Sequence, residues 1–175
     1  MELDDALAMV QTWVLESRAS ERDIAGSLKV NSRGEFEVQV KGAVFRYQPK
    51  SHELLVSGLV GYDLKSLGLF PDKWQFLVRT GQRESTTMMY GEAYFELLRR
   101  PIFDLESDVL LLTKRYTTRI TDGRLLSVQI RWLLSDADYW FVNRYNEIMG
   151  KREDELIKEA PGINEWMSKN RPRPW

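Results

Sequence analysis

Apolar residues near the start of the chain recur at intervals of three and four positions, which is the period of an amphipathic helix. Four of them share one face of a helix drawn over residues 2–18: Leu3, Leu7, Val10 and Val14. A helix with one apolar face must bury that face against a partner layer. The sequence therefore predicts that this helix packs on the elements that follow it.

The next segment alternates apolar and polar residues, which predicts four antiparallel strands joined by short turns at 32–34, 41–42 and 49–52. The first turn, drawn as a three-residue loop, sets Leu28 opposite Val38. The second sets Val40 opposite Ala43, and the third sets Tyr47 opposite Leu54. A slip of one residue at any turn would move a strand's apolar set to the other face. All three turns agree on one inward set: Leu28, Val30, Phe36, Val38, Val40, Ala43, Phe45, Tyr47, Leu54 and Val56. On the outward face, Lys29, Glu37 and Arg46 form a predicted charge ladder open to solvent.

Beyond the meander the pattern predicts a helix over 71–79. A strand is predicted within 87–98, because apolar and polar residues there alternate more regularly than they follow a helical period. A long hairpin is predicted over 109–134, with a three-residue loop at 121–123. Its apolar face collects Leu110, Leu112, Tyr116, Thr118, Leu126, Val128, Ile130, Trp132 and Leu134. Ser135 is predicted to cap a helix that ends near Met149. Charged residues predict one more helix over 152–160, and a last helical turn is expected over 164–168.

Antiparallel strands bracketed by helices predict an α+β fold: a helix on a four-strand meander, a middle helix, further strands and C-terminal helices. The length of 175 residues fits one domain. We assign that domain to 1–160, followed by an extension over 161–175 in which a helical turn leads into a proline-rich tail. The spacing leaves open whether the two groups of strands join in one sheet, close as a barrel or form separate layers.

Composition excludes several kinds of chemistry. The chain has no cysteine, so disulfides, thiolate nucleophiles and cysteine-based zinc sites are ruled out. Its one histidine, His52, lies in a predicted turn beside Ser51 and Glu53, where adjacent residues do not present the geometry of a catalytic triad. No glycine-rich phosphate-binding motif occurs. Asp104, Glu106 and Asp108 have the spacing of a calcium loop without its glycine or distal glutamate, so we predict no metal or cofactor.

Two groups of polar residues are candidates for a site. Tyr90, Glu92, Tyr94 and Glu96 share one face of the predicted strand, and Arg115, Arg119, Gln129 and Arg131 share the polar face of the predicted hairpin. Arginine side chains bind carboxylates or phosphates well. In one interpretation the arginines pair with Glu92 and Glu96 inside the sheet. In the others the two groups line a pocket, which either binds a small ligand or uses the two glutamates for hydrolysis.

Aromatic residues make up 11% of the chain and include six tryptophans. Four of these are predicted to point inward: Trp13, Trp74, Trp132 and Trp140. The remaining candidates for contact with a partner are Trp166, Met167 and Trp175 in the tail, and Val44, Leu55 and Leu59 on the outward face of the meander. We expect the tail, 163–175, to dock on a partner or on its own sheet. The outward apolar residues of the meander could equally be covered by residues 62–83.

The net charge of −1 argues against nucleic-acid binding, and an acidic amino terminus without a long apolar run predicts a cytoplasmic protein with no membrane span. The order of elements is similar in outline to small secretion chaperones of the type III kind, which implies a chaperone- or adaptor-like role. The main hypothesis is a non-enzymatic protein that binds a protein or peptide and forms oligomers such as a homodimer. The alternatives are a ligand-binding curved sheet or barrel and a carboxylate-dependent hydrolase.

Overall fold

A computed structural model describes residues 1–62, 93–100, 102–103 and 108–140 of the chain. In chain order the elements are α1 (Leu3–Glu16), a short 3-10 helix (Glu21–Asp23), β1 (Ile24–Ser27), β2 (Phe36–Val40), β3 (Ala43–Gln48), β4 (Glu53–Tyr62), β5 (Ala93–Leu98), β6 (Val109–Tyr116) and α2 (Gly123–Tyr139). The predicted α+β class is confirmed.

The six described strands form one antiparallel sheet in the order β1-β2-β3-β4-β6-β5. β4 is the strand that joins the two predicted groups, because it pairs with β3 on one side and with β6 on the other. β5 then pairs with the outer side of β6, so that Phe95 lies opposite Leu112. The question that spacing left open is thus answered by the β4–β6 pairing, which makes one sheet of both groups.

Two of the three predicted meander turns set the register as expected. At the β2–β3 turn, Lys41 and Gly42 both have positive φ angles of 47° and 83°, the combination of a two-residue type I′ hairpin. Val40 therefore pairs with Ala43. At the β3–β4 turn, Tyr47 pairs with Leu54, again as predicted.

The first turn is longer than predicted, and the predicted pairing of Leu28 with Val38 is wrong. Gly26 lies opposite Val38, a shift of two residues that keeps the inward face inward. The reason is Asn31, whose Oδ1 atom accepts hydrogen bonds from the backbone N–H groups of Arg33 (2.9 Å) and Glu35 (3.0 Å). These bonds close the loop locally, so residues 28–30 leave the sheet before β2 begins. The predicted charge ladder therefore loses Lys29, which does not lie in a strand. The prediction that the ladder is open to solvent is also wrong for Arg46, which is buried.

The second half of the predicted long hairpin is a helix, not a strand. α2 begins after Asp122, whose Oδ1 accepts from the backbone N–H groups of Arg124 (3.0 Å) and Leu125 (3.2 Å). The helical period places Leu126, Ile130, Leu133 and Ala137 on one side, and these residues are buried. Ser135, predicted to cap a later helix, lies inside α2. Trp132, predicted to point inward, is 47% exposed.

Both helices pack on one side of the sheet, which we call the helix face. Trp13 of α1 is buried there, as predicted, and its indole Nε1 donates a 2.9 Å hydrogen bond to the backbone oxygen of Val40. Trp140 is also buried, as predicted, with its ring 5.2 Å from that of Phe95 in an edge-to-face contact. The strands contribute eight of the predicted inward residues of the meander, Phe36, Val38, Val40, Ala43, Phe45, Tyr47, Leu54 and Val56, together with Phe95, Leu110 and Leu112. The prediction is wrong for Val30, which is 36% exposed in the loop before β2, and Leu28 in the same loop is only partly buried.

The opposite side of the sheet, which we call the far face, carries a second apolar cluster of Val44, Ile102, Val109 and Leu111. The chain that leaves β5 covers this cluster. Ile102 and Phe103 pack there, and Arg100 forms an ion pair with Glu37 of β2. Val44 and Leu55, expected as a contact patch, are both buried within the chain, while Leu59 packs against the second cluster.

Several predicted elements lie outside the described residues: the helix over 71–79, the strand residues 87–92, everything after residue 140 and the boundary at 160–161. The strand prediction for 87–98 is confirmed over Ala93–Leu98. Of the helices in the described part of the chain, none has the length and apolar character needed to span a bilayer.

We predict that the close packing of α2 on β4 depends on the absence of a side chain at Gly58. A β-carbon placed at Gly58 would lie only 2.7 Å from the Cβ of Ala137. Gly58→Ala should therefore lower the free energy of unfolding by about 2 kcal/mol through overpacking. The measurement is urea denaturation followed by circular dichroism.

Ala137→Gly supplies the matched control. By itself it should cost about 1 kcal/mol through lost helix propensity. In the double variant Gly58→Ala/Ala137→Gly the obstructing methyl group of residue 137 is absent. The loss of unfolding free energy in the double variant should therefore be smaller than the sum of the losses in the two single variants. Simple additivity would show that the close approach of α2 to Gly58 does not determine the cost.

Candidate functional site

Four neighbouring strands each place one polar side chain on the far face. Arg46 comes from β3, Ser57 from β4, Thr113 from β6 and Glu96 from β5. Side chains alternate between the faces of a sheet, so residues flanked by inward apolar positions must point to the far face. We call these four residues the four-strand polar cluster.

The cluster is a closed circuit of hydrogen bonds between a cation and a carboxylate. Arg46 donates hydrogen bonds to Glu96 from both terminal nitrogens, from Nη1 to Oε1 at 3.1 Å and from Nη2 to Oε2 at 2.5 Å. Nη2 also donates to Ser57 Oγ at 3.3 Å, and the Ser57 and Thr113 hydroxyl oxygens are 2.7 Å apart. Thr113 donates to Glu96 Oε2 at 3.1 Å, so Ser57 must donate to Thr113. Each hydroxyl group therefore accepts one bond and donates one.

Burial makes these polar contacts important for stability. Arg46 is only 6% exposed, and Ser57 and Thr113 are fully buried. Burial by itself would raise the pKa of Glu96. The hydrogen bonds and charge of Arg46, the hydrogen bond of Thr113 and the charge of Arg115 outweigh this effect and hold that pKa below its ordinary value. Glu96 is therefore ionised at neutral pH, with both carboxylate oxygens engaged. A carboxylate in this state does not serve as a general acid.

One donor of the cluster has no hydrogen-bond partner in the described part of the chain. It is the Nε atom of Arg46, which is buried. A buried donor without an acceptor carries a desolvation cost, so a water or a ligand oxygen placed there would be stabilising. This atom is the feature of the cluster that favours the ligand-binding alternative.

Tyr94 and Arg115 lie at the border of the cluster, since Tyr94 is paired with Thr113 across β5 and β6 and the charge of Arg115 acts on Glu96. The guanidinium carbon of Arg115 lies 4.8 Å from the centre of the Tyr94 ring, and its Nε atom donates to the Tyr94 hydroxyl at 3.4 Å. This pair of β6 and β5 side chains combines a cation–π contact with a long hydrogen bond. Arg115 thus pairs with Tyr94, and the glutamate beside it pairs with Arg46.

The other predicted members of the arginine face lie elsewhere, because residues 123–139 are helical. Arg119 lies in the loop before α2, where its Nη1 atom is 3.3 Å from Asp5 Oδ1 of α1. Arg131 stands 5.5 Å from the centre of the Trp13 ring and donates to Ser127 Oγ. Gln129 faces the sheet from α2. The structure therefore does not bring Arg115, Arg119, Gln129 and Arg131 together on one face.

Gln129 is the centre of a smaller polar group on the helix face. Its Oε1 atom accepts hydrogen bonds from Lys114 Nζ at 3.1 Å and from the Tyr116 hydroxyl at 2.8 Å. Burial lowers the pKa of the Lys114 ammonium group and raises the pKa of the Tyr116 phenol. Lys114 lies among the inward residues of β6, where burial disfavours its charge, and the hydrogen bond that it donates to Gln129 compensates in part for that burial.

α2 carries large apolar residues on its outward side as well as on its buried side. Leu125, Val128, Trp132 and Tyr139 are each between 39% and 51% exposed. Their spacing of three, four and seven positions places them in one line along the helix, with Ser135 filling the gap. We call these four residues the α2 outer stripe. The alternating pattern predicted Val128 and Trp132 to lie in the core of a strand, so the stripe was not visible in the sequence.

The remaining candidates contribute little to a site. His52 lies in the β3–β4 turn, mostly exposed, with its Nδ1 atom 3.8 Å from a carboxylate oxygen of Glu2. Asp108 is buried, while Asp104 and Glu106 lie outside the described residues. In the described ranges no three His, Asp or Glu side chains are grouped to hold a metal ion. Tyr90, Glu92, Trp166, Met167 and Trp175 also lie outside the described residues and stay predictions.

Comparison with known proteins does not identify a relative. No protein-family model, no curated protein and no solved structure matches this chain. A functional assignment must therefore come from the chemistry and exposure of the residues described above.

We predict that the Arg46–Glu96 pair contributes to stability in a pH-dependent way. Glu96→Gln leaves a buried guanidinium without its counter-ion and should cost about 3 kcal/mol in unfolding free energy at pH 7. Because the folded pKa of Glu96 is lowered, the contribution is present above the ordinary pKa and is lost as the pH falls through the folded pKa. The gap between wild type and variant should therefore narrow below about pH 4.

Glu37→Gln is the matched control, since Glu37 also pairs with an arginine on the same face but in a more exposed setting. It should cost less than about 1 kcal/mol. Equal losses for the two glutamates, or a gap that stays constant in acid, would contradict the structural role of the cluster. Chemical denaturation at several pH values measures both.

Proposed function

We propose that this chain is a non-enzymatic binding protein that contacts a protein or peptide partner through the α2 outer stripe. The observation that carries the proposal is the exposure of Leu125, Val128, Trp132 and Tyr139 in one line on a helix whose other side is buried. Contiguous exposed apolar surface on a soluble protein marks a contact site more often than single exposed residues do.

The composition of the stripe supports contact with a protein. Tryptophan and tyrosine are the residue types that contribute most to binding at protein interfaces, because they offer a large apolar area and a polar tip. A line of apolar residues three to four positions apart is also the pattern with which helices meet other helices or grooves. Leu15 of α1, at 76% exposure, has no such line around it.

The four-strand polar cluster supports a role without catalysis. Glu96, the described carboxylate of the hydrolase hypothesis, is ionised, and Arg46 and Thr113 hold it through hydrogen bonds. Three arginines of the expected pocket are committed to different neighbours, Arg115 to Tyr94, Arg119 to Asp5 and Arg131 to Trp13. Side chains already paired within the fold do not converge on a substrate, which favours a binding role.

The finer parts of the proposal follow from the sequence. A near-neutral chain offers no field for nucleic acid, so the partner is a polypeptide. We place the protein in the cytoplasm, where a chaperone- or adaptor-like role would fit a small binding domain without cysteine. The tail, 163–175, with Trp166, Met167 and Trp175, is a second proposed contact.

Site-specific photo-crosslinking tests the stripe. A photoreactive phenylalanine derivative at Val128 should give discrete adducts of higher mass in the cells that make the protein, because Val128 would lie within the interface. The same group at Leu15 is the control, since that position is more exposed but lies outside the stripe. Denaturing gels and mass spectrometry measure the adducts.

The adducts should disappear when Trp132→Ser is added to the Val128 probe, because loss of a central aromatic residue typically weakens binding at least tenfold. Identical adducts from both positions, or none from Val128, would contradict the proposal. Far-UV circular dichroism of each variant separates loss of binding from loss of folding.

A further inference from the structure

Charge is unevenly distributed along the outward side of α2. Arg124 lies exposed in its first turn, Arg131 lies exposed at its midpoint, and Asp138 lies exposed in its last turn, with Asp136 partly buried beside it. The helix is therefore basic at its beginning and acidic at its end. A surface of this kind is complementary to a copy of itself that runs in the opposite direction.

Superposing the stripe on a reversed copy gives a consistent pairing. If Trp132 lies near a two-fold axis, Arg124 of one helix comes within a turn of Asp138 of the second, and Leu125 faces Tyr139. Val128 then lies opposite Ser135 and Asp136 of the second helix, and the small side chain of Ser135 allows close approach. A parallel arrangement would instead set Arg124 against Arg124 and Asp138 against Asp138, which is repulsive.

We infer that the occupant of the α2 outer stripe is a second copy of this chain, bound antiparallel across a two-fold axis. The inference rests on the proposed function, since it names the partner of the same surface. An antiparallel pair of helices also places opposite ends of the two helix dipoles together. Arg131 already contacts Ser127 and Trp13 within its own chain, so the intermolecular pair is formed by Arg124 and Asp138.

The expected dimer is weak. α2 has 17 residues and is about 25 Å long, at about 1.5 Å per residue. One helix face from each partner buries an area at the low end of specific interfaces, so we expect a dissociation constant on the order of 10 µM. Dimer and monomer should therefore both be observed as the concentration changes.

A charge exchange tests the inference. The purified full chain and the variants Arg124→Asp, Asp138→Arg and the double variant are examined by sedimentation equilibrium from about 1 to 200 µM. Each single variant should dimerise at least about tenfold more weakly, because both symmetry-related pairs then bring like charges together. The double variant reverses the charges of both pairs, so its dissociation constant should return to within about threefold of the wild-type value.

These substitutions are mild for the fold. Both side chains are exposed, an acidic residue near the start of a helix suits the helix dipole, and a basic residue near the end does so too. Thermal unfolding at a concentration where all variants are monomeric confirms that they fold. Leu15→Glu serves as the control for an exposed apolar residue outside the stripe and should leave dimerisation unchanged.

A monomer at every concentration overturns the inference, as does a double variant that dimerises no better than the single ones. The proposed function fails separately. If the Val128 probe traps a different protein while the purified chain stays monomeric, the stripe binds a polypeptide that is not a second copy. If the probe traps nothing and the chain is monomeric, both proposals are wrong.

Discussion

The close contact between α2 and β4 at Gly58 determines how the helix is rotated on the sheet. Because a side chain at this position would collide with Ala137, the backbone of β4 itself forms the seat for the helix. Leu126, Ile130 and Leu133 follow Ala137 into the core, since they lie on the same side of the helix. The opposite side, with Trp132 at its centre, is then directed outward. The exposure of the stripe is thus a consequence of how the core packs.

The far face of the sheet depends on a different interaction. Arg46 of β3 reaches Glu96 of β5 across the two strands between them, and the hydroxyl groups of Ser57 and Thr113 fill the intervening positions. A buried arginine is tolerable only with its charge paired and its donors used. In the cluster, the Nε atom of Arg46 is the donor atom without a hydrogen-bond partner among the described residues. The polar residues that could have formed a catalytic or ligand-binding site therefore mainly bind one another. The apolar cluster beside it is covered by Ile102 and Phe103.

These two arrangements explain why the outer side of α2 is the surface we assign to function. Most of the apolar surface of the sheet's faces is engaged within the chain, and Val44 and Leu55 are buried. The aromatic residues divide in the same way: Trp13 and Trp140 stabilise the core, whereas Trp132 is about half exposed on the stripe. Arg124 and Asp138 lie near the two ends of α2. Because their charges are opposite, they favour a partner helix that runs antiparallel to α2.

The sequence by itself determined the local parts of this protein. Alternation and turn residues predicted α1, the pairing of Val40 with Ala43 and of Tyr47 with Leu54, and the strand at Phe95, because each depends on neighbours only a few residues away. Tertiary structure decided the rest. Residues 123–139 fit both a strand and a helix over part of their length, and packing against β4, β6 and α1 selects the buried set of the helix. The partner of Arg46 lies fifty positions away, on a strand three places across the sheet. No local pattern encodes that distance, since it follows from the order in which the strands pair.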